Sequence, residues 1–148
     1  MIFTNSVVHA LHTTLSSDQT LVNCGVIVDF YLIQNTNPNN IPYWVNVGQP
    51  EMQIEGWRAN ITSPWKAQYI LPIITQVQDY AEIEQRFQAL QQLDVLNNNI
   101  FTAINSNRTL NNTVNIITGW NIAPFDRDDV QSDDFLMTQI NLQAEVFA

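Results

Sequence analysis

Cysteine, glycine and positive charge are all scarce in this chain, and each scarcity removes a class of function. With one cysteine, Cys24, among 148 residues, no internal disulfide can form. That thiol falls inside the apolar run Val22 to Ile33, so a buried, inert side chain is expected rather than a nucleophile or metal ligand. The four glycines, Gly25, Gly48, Gly56 and Gly119, stand singly, which excludes a glycine-rich phosphate loop. The five cations, Arg58, Lys66, Arg86, Arg108 and Arg127, are scattered among 14 Asp plus Glu, giving a formal net charge of -9. Counterion release needs clustered cations, so direct DNA binding is not expected.

Long hydrophobic runs are missing too. None approaches the roughly 20 residues that a membrane helix needs. Met1-Ile2-Phe3-Thr4-Asn5 has no basic region ahead of an apolar segment, so it does not read as a signal peptide, and a soluble, non-exported protein is expected. The length suits one core, hence a single domain over residues 1–148. The sequons at Asn60, Asn107 and Asn111 are chance matches in an Asn-rich chain.

A short phrase occurs twice. Leu15-Ser16-Ser17-Asp18-Gln19-Thr20-Leu21 and Ile104-Asn105-Ser106-Asn107-Arg108-Thr109-Leu110 each follow a helix-like stretch and precede an apolar run with strand character. Before the first copy, Phe3, Val7, Leu11 and Leu15 recur every four residues, which predicts a helix over residues 2–15. After it, the β-branched and aromatic run Val26 to Ile33 reads as a buried strand, with a buried helix as the alternative, and Asn35 to Asn40 as a loop.

Alternation of Tyr43, Val45 and Val47 predicts a strand that Gly48 and Pro50 stop. In the next segment, Glu51 to Ile61, the apolar parity switches at Gly56, where a β-bulge would re-aim the side chains. Ala67, Tyr69, Leu71, Ile73 and Val77 line one face of a strand over residues 66–77, which pairs antiparallel with 51–61 through Thr62-Ser63-Pro64. Pro72 cannot donate to a ladder, so this strand is expected at an edge or bulged there.

Asp79 with Glu82 three positions on resembles a capping box and starts a long helix. Its apolar stripe is Ile83, Phe87, Leu90, Leu93, Leu96 or Asn97, Ile100 and Ile104, over roughly 38 Å, with Gln and Asn on the polar face. After the second phrase, alternation predicts strands over Val114 to Trp120 and Leu136 to Val146, separated by a loop from Ile122 to Asp134. The fold class is α+β: a mixed or antiparallel sheet of about five to six strands, packed by an N-terminal helix and a long central helix.

Candidate chemistry is thin. Asp126, Asp128, Asp129, Asp133 and Asp134 form a dense acidic group, but Asp126 to Gln131 lacks the glycine of a calcium loop, and a solvated loop is favoured. His9 and His12 share a helix face without a third ligand at a recognisable spacing, and a partly buried structural pair is favoured. No Ser stands in a nucleophile-elbow context and no triad is legible. No enzyme activity, metal or cofactor is expected. Trp44, Trp57, Trp65 and Trp120 lie in or beside strands, where core packing is the default and exposure would mark an interface.

Taken in order, "ALHTTLSSDQTL", an apolar strand, "IPYWVNVGQPE", a strand into a long helix, "AINSNRTLNNTV" and a final strand pair resemble the tail-terminator or tail-completion proteins of long-tailed bacteriophages over nearly the whole chain. The resemblance implies a non-enzymatic virion subunit forming a ring, commonly hexameric, on the head-proximal end of the tail tube. Such a ring stops tube polymerisation and joins the tail to the head connector. Its partners would be further copies of itself, the tail tube protein and a connector or stopper protein. DNA would pass through without specific binding, no membrane would be involved, and the protein would occupy host cytoplasm during assembly. The Asn and Gln content and the long C-terminal strand depart from that pattern. The alternatives are another neck or connector ring protein, a monomeric metal- or ligand-binding domain using the acidic loop, and a small hydrolase.

Overall fold

The computed structural model describes residues 4–30, 43–55, 66–78, 82–125 and 135–147. They form three helices and six strands in the order α1 Thr4–Ser16, α2 Gln19–Asn23, β1 Ile27–Phe30, β2 Tyr43–Val47, β3 Glu51–Glu55, β4 Lys66–Gln78, α3 Ile83–Asn105, β5 Ile116–Pro124 and β6 Phe135–Phe147. The class is the expected α+β.

The strands make one mixed sheet in the order β1-β2-β4-β6-β5, with β3 also pairing to β4. Only β1 and β2 are parallel neighbours; the other pairs are antiparallel. β4 is the axis of the sheet. Its 13 residues pair with β6 along their whole length, while the other side serves β3 at residues 66–70 and β2 at residues 73–77.

Expectation and structure differ at Pro72. The strand is internal, and its register with β6 continues through the Pro72–Asn141 pair without a bulge. The reason is direction. A residue in an extended strand points its N–H and C=O to the same side. The Pro72 carbonyl accepts the Gly48 N–H at 2.8 Å, so the side lacking a donor faces the junction where β2 ends and β3 begins. The β6 ladder therefore loses nothing. Gly56 and its expected bulge lie outside the described residues.

The odd positions of β4 face the helices, as the alternation predicts. Tyr69, Leu71, Ile73 and Val77 join Ile140, Leu142, Ala144 and Val146 of β6, Val45 and Val47 of β2, and the buried faces of α1 and α3 in one core. α1 supplies Val7, Val8, Leu11 and Leu15 to it. A smaller cluster of Trp44, Ile74 and Met137, backed by Phe125 and Phe135, sits on the opposite face.

The two copies of the repeated phrase do similar work. In the first, the Leu21 N–H donates to Asp18 Oδ1 at 3.1 Å, capping α2; in the second, the Asn111 N–H donates to Asn107 Oδ1 at 3.0 Å. Each phrase ends in a buried leucine, Leu21 or Leu110. The second turn differs in using positive φ at Leu110, Asn111 and Asn112, a region Asn tolerates, and Asn107 also donates to Thr14 Oγ1 of α1 at 3.0 Å.

Cys24 is exposed, contrary to the sequence reading. The run Val22 to Ile33 is not one element. Cys24 is the C-cap of α2, Gly25 turns the chain at φ +74°, and the strand begins only at Ile27. The N-cap of α3 is Glu82, with no side-chain cap bond, rather than Asp79, which lies outside the described residues. β5 continues to Pro124, into the stretch expected to be loop.

Candidate functional site

α3 does not bury one apolar stripe; it carries two. Ala89, Leu93, Leu96, Asn97, Ile100, Ala103 and Ile104 face the sheet. Ile83 and Phe87 are 72% and 65% exposed, and Leu90 is exposed with them. At 3.6 residues per turn these three share a direction roughly 110° around the helix from the buried face. The stripe read from sequence thus drifts from an uncovered flank into the core. Phe101 lies in the same direction as Ile83, eighteen residues and five turns later.

That flank looks toward β5. The Phe101 ring packs on Trp120 with centroids 4.3 Å apart. Further toward the helix start, Asn97 Nδ2 donates to Thr138 Oγ1 at 3.3 Å. Because Leu142 pairs with Trp120 and Thr138 with Pro124, α3 runs antiparallel to β5, and its Ile83 end points toward the Pro124 end of that strand.

Among the described residues, β5 is left largely uncovered beyond the Phe101–Trp120 contact. α1 packs over β1 and β2, and α3 over β4 and β6. Trp120 and Ile122 pair with Leu142 and Ile140, so their side chains share the helix-facing side of the sheet, yet both are exposed. Ile116 is exposed as well. The flank of α3 and the outer strand therefore meet in an apolar shelf at Phe101, Trp120 and Ile122, with β5 as its floor, and the exposed Leu90, Phe87 and Ile83 continue the flank along the helix toward its start, past the Pro124 end of the strand. Its floor has no charged residue among the nine of Ile116–Pro124. Grouped apolar side chains on a surface mark interaction sites.

A second, similar exposure lies at the other side of the sheet. Met52 and Ile54 of β3 pair with Tyr69 and Ala67, which places them on the helix-facing side, and both are exposed. A groove of about 530 Å³ runs between α3 and the α2–β2 region, lined by Cys24, Val26, Tyr43, Gln88, Gln92 and Val95 among others.

Of the residues singled out from sequence, Asp126, Asp128, Asp129, Asp133 and Asp134 lie outside the described residues, as do Trp57 and Trp65. His9 is exposed. His12 donates from Nε2 to the Val28 carbonyl at 3.1 Å and meets Phe30 edge-on. Among the described residues no group of three His, Cys, Asp or Glu is placed to hold a metal ion. The two described tryptophans do not behave alike. Trp44 is buried, donating from Nε1 to Asp29 Oδ2 at 2.7 Å, whereas Trp120 opens onto the shelf. Sequence reasoning missed the shelf because alternation in β5 says which residues share a face, not whether anything covers it. Among the described residues, no helix is long and apolar enough to cross a membrane.

No family model matches the sequence, and no curated protein is recognisably similar to it. Among solved structures, a chain in the virion of a native gene transfer agent particle is similar over 95% of this chain and 94% of its own length, at 13% identity and a TM-score of 0.47. A likeness of that degree establishes neither ancestry nor role.

Proposed function

We propose that this chain is a structural virion subunit. In this reading it forms a ring, hexameric by the family resemblance, that caps the head-proximal end of a phage tail tube, stops tube growth and joins the tail to the head connector. The observation that carries the reading is the apolar shelf between α3 and β5. Its exposed Trp120 and Ile122, and the exposed Leu90 and Phe87 further along the same helix flank, favour a protein that completes its packing by association. The role is one of assembly rather than catalysis. The acidic composition agrees with a passage for DNA, since like charge opposes the counterion-releasing contacts that would hold the duplex back.

Electron microscopy of the purified protein, with its mass in solution, tests the reading. Closed rings, or assembly that grows with concentration, are expected. A strict monomer at high concentration, with no ring in particles containing the protein, would contradict it. A melting temperature raised by Ca²⁺ would instead favour the metal-binding alternative through the acidic loop.

A further inference from the structure

We propose that copies of this chain join edge to edge in one continuous sheet, the β3 edge of one copy pairing antiparallel with the β5 edge of the next. Met52 and Ile54 then sit beside Trp120 and Ile122, beneath the exposed flank of α3. The inference rests on the ring reading and specifies its contact.

Among the described residues, no strand pairs with the outer side of β3 or of β5. Proteins that keep a free edge from pairing place charge along it; β5 has none over its nine residues, and β3 carries its two glutamates only at its ends, with Met52, Gln53 and Ile54 between them. What fills the space outside β5 has to be a strand with apolar side chains on the helix-facing side and nothing of its own above them. β3 answers that description, because Met52 and Ile54 have the right parity and are exposed. β1 does not. Its helix-facing residues Val28 and Phe30 are already partly buried against the core.

Strand direction agrees. β5 and β4 are each antiparallel to β6, so β5 runs with β4 and against β3. A neighbour in the same orientation, helices on the same side, therefore presents β3 antiparallel to β5. Setting Ile54 beside Trp120 and Met52 beside Ile122 brings Gln53 opposite Asn121 on the other face of the sheet. It also brings the Glu55 end of β3 to the start of β5. The contact joins two different surfaces, so repeating it gives a ring wherever the rotation closes.

Cross-linking through cysteines tests the arrangement. In a Cys24→Ser background, Gln53→Cys and Asn121→Cys are made singly and together; both positions are exposed and lie on the open face. Each sample is treated with a short bismaleimide, and its mass is measured by light scattering before treatment. The double variant is expected to give a ladder of covalent multimers, the two single variants mixed together a dimer, and each single variant alone only single chains. Assembled protein in which the double variant gives no ladder, or in which a single variant links to itself, overturns the edge pairing and leaves the ring reading standing. Monomeric mass in every sample overturns both.

Discussion

Gly48 and Pro72 are locked together: the Gly48 N–H donates to the Pro72 carbonyl at 2.8 Å, and a Cβ at position 48 would lie 2.9 Å from Pro72 Cγ. A ring carbon cannot swing aside as the end of a long side chain can. Gly48→Ala is therefore expected to destabilise the fold by about 1–3 kcal/mol, the usual range for overpacking. Pro72→Ala in the same chain should recover part of that loss. Urea unfolding of the two single variants and the double variant reads the coupling, and strictly additive changes would contradict the contact.

The two stripes of α3 should respond differently to substitution. Leu93 is buried in the core, so Leu93→Ala is expected to lower stability by about 2–5 kcal/mol. Phe87 is exposed, and Phe87→Ser should shift the stability of the unassembled chain by no more than about 0.5 kcal/mol. Thermal or denaturant unfolding at low protein concentration distinguishes them. Equal losses would mean that both residues are covered.

How far the sequence reveals this molecule depends on what each pattern physically reports. Alternation at Ala67, Tyr69, Leu71, Ile73 and Val77 identifies the buried face of β4 because side-chain parity is fixed by the backbone. The same pattern says nothing about which neighbours a strand has, so Pro72 points to an edge when its donorless side in fact meets a gap between two partners. Periodicity finds α3 but merges two faces, since spacings of three and four residues let a stripe rotate without breaking. Cys24 illustrates a third limit. Hydropathy joins Val22 to Ile33 into one run, whereas Asp18 and Gly25 divide it into a capped helix, a turn and a strand. The shelf is invisible in sequence because it is defined by which of the described residues do not lie above β5.

Asp29 is buried on the open face of the sheet and accepts the Trp44 indole N–H at 2.7 Å. Asp29→Asn keeps an oxygen acceptor and should cost little. Asp29→Ala takes that acceptor from a buried donor, and a loss of about 1–3 kcal/mol is expected. Equal losses for Asn and Ala, measured by urea unfolding, would show that the carboxylate charge rather than the hydrogen bond is what matters.

Asn97 points into the helix–sheet interface, where Thr75 and Thr138 bond through their hydroxyls. Its Nδ2 reaches Thr138, but its Oδ1 is buried and has no partner among the described residues. An apolar side chain of similar size removes that unmet acceptor, and the two threonine hydroxyls still satisfy each other. Asn97→Leu is expected to raise stability by about 1 kcal/mol. A marked decrease in the urea midpoint would show that the amide is needed where it is.

The surface between α3 and β5 is expected to join one copy of the chain to another. Sedimentation velocity of the unaltered protein beside the Phe87→Ser and Trp120→Lys variants, across a range of concentrations, tests this most directly. The unaltered chain should sediment as a closed oligomer or assemble as concentration rises, and each variant should remain folded and shift toward the single chain. Variants that assemble as fully as the unaltered protein, or an unaltered protein that stays a single chain throughout, would contradict it.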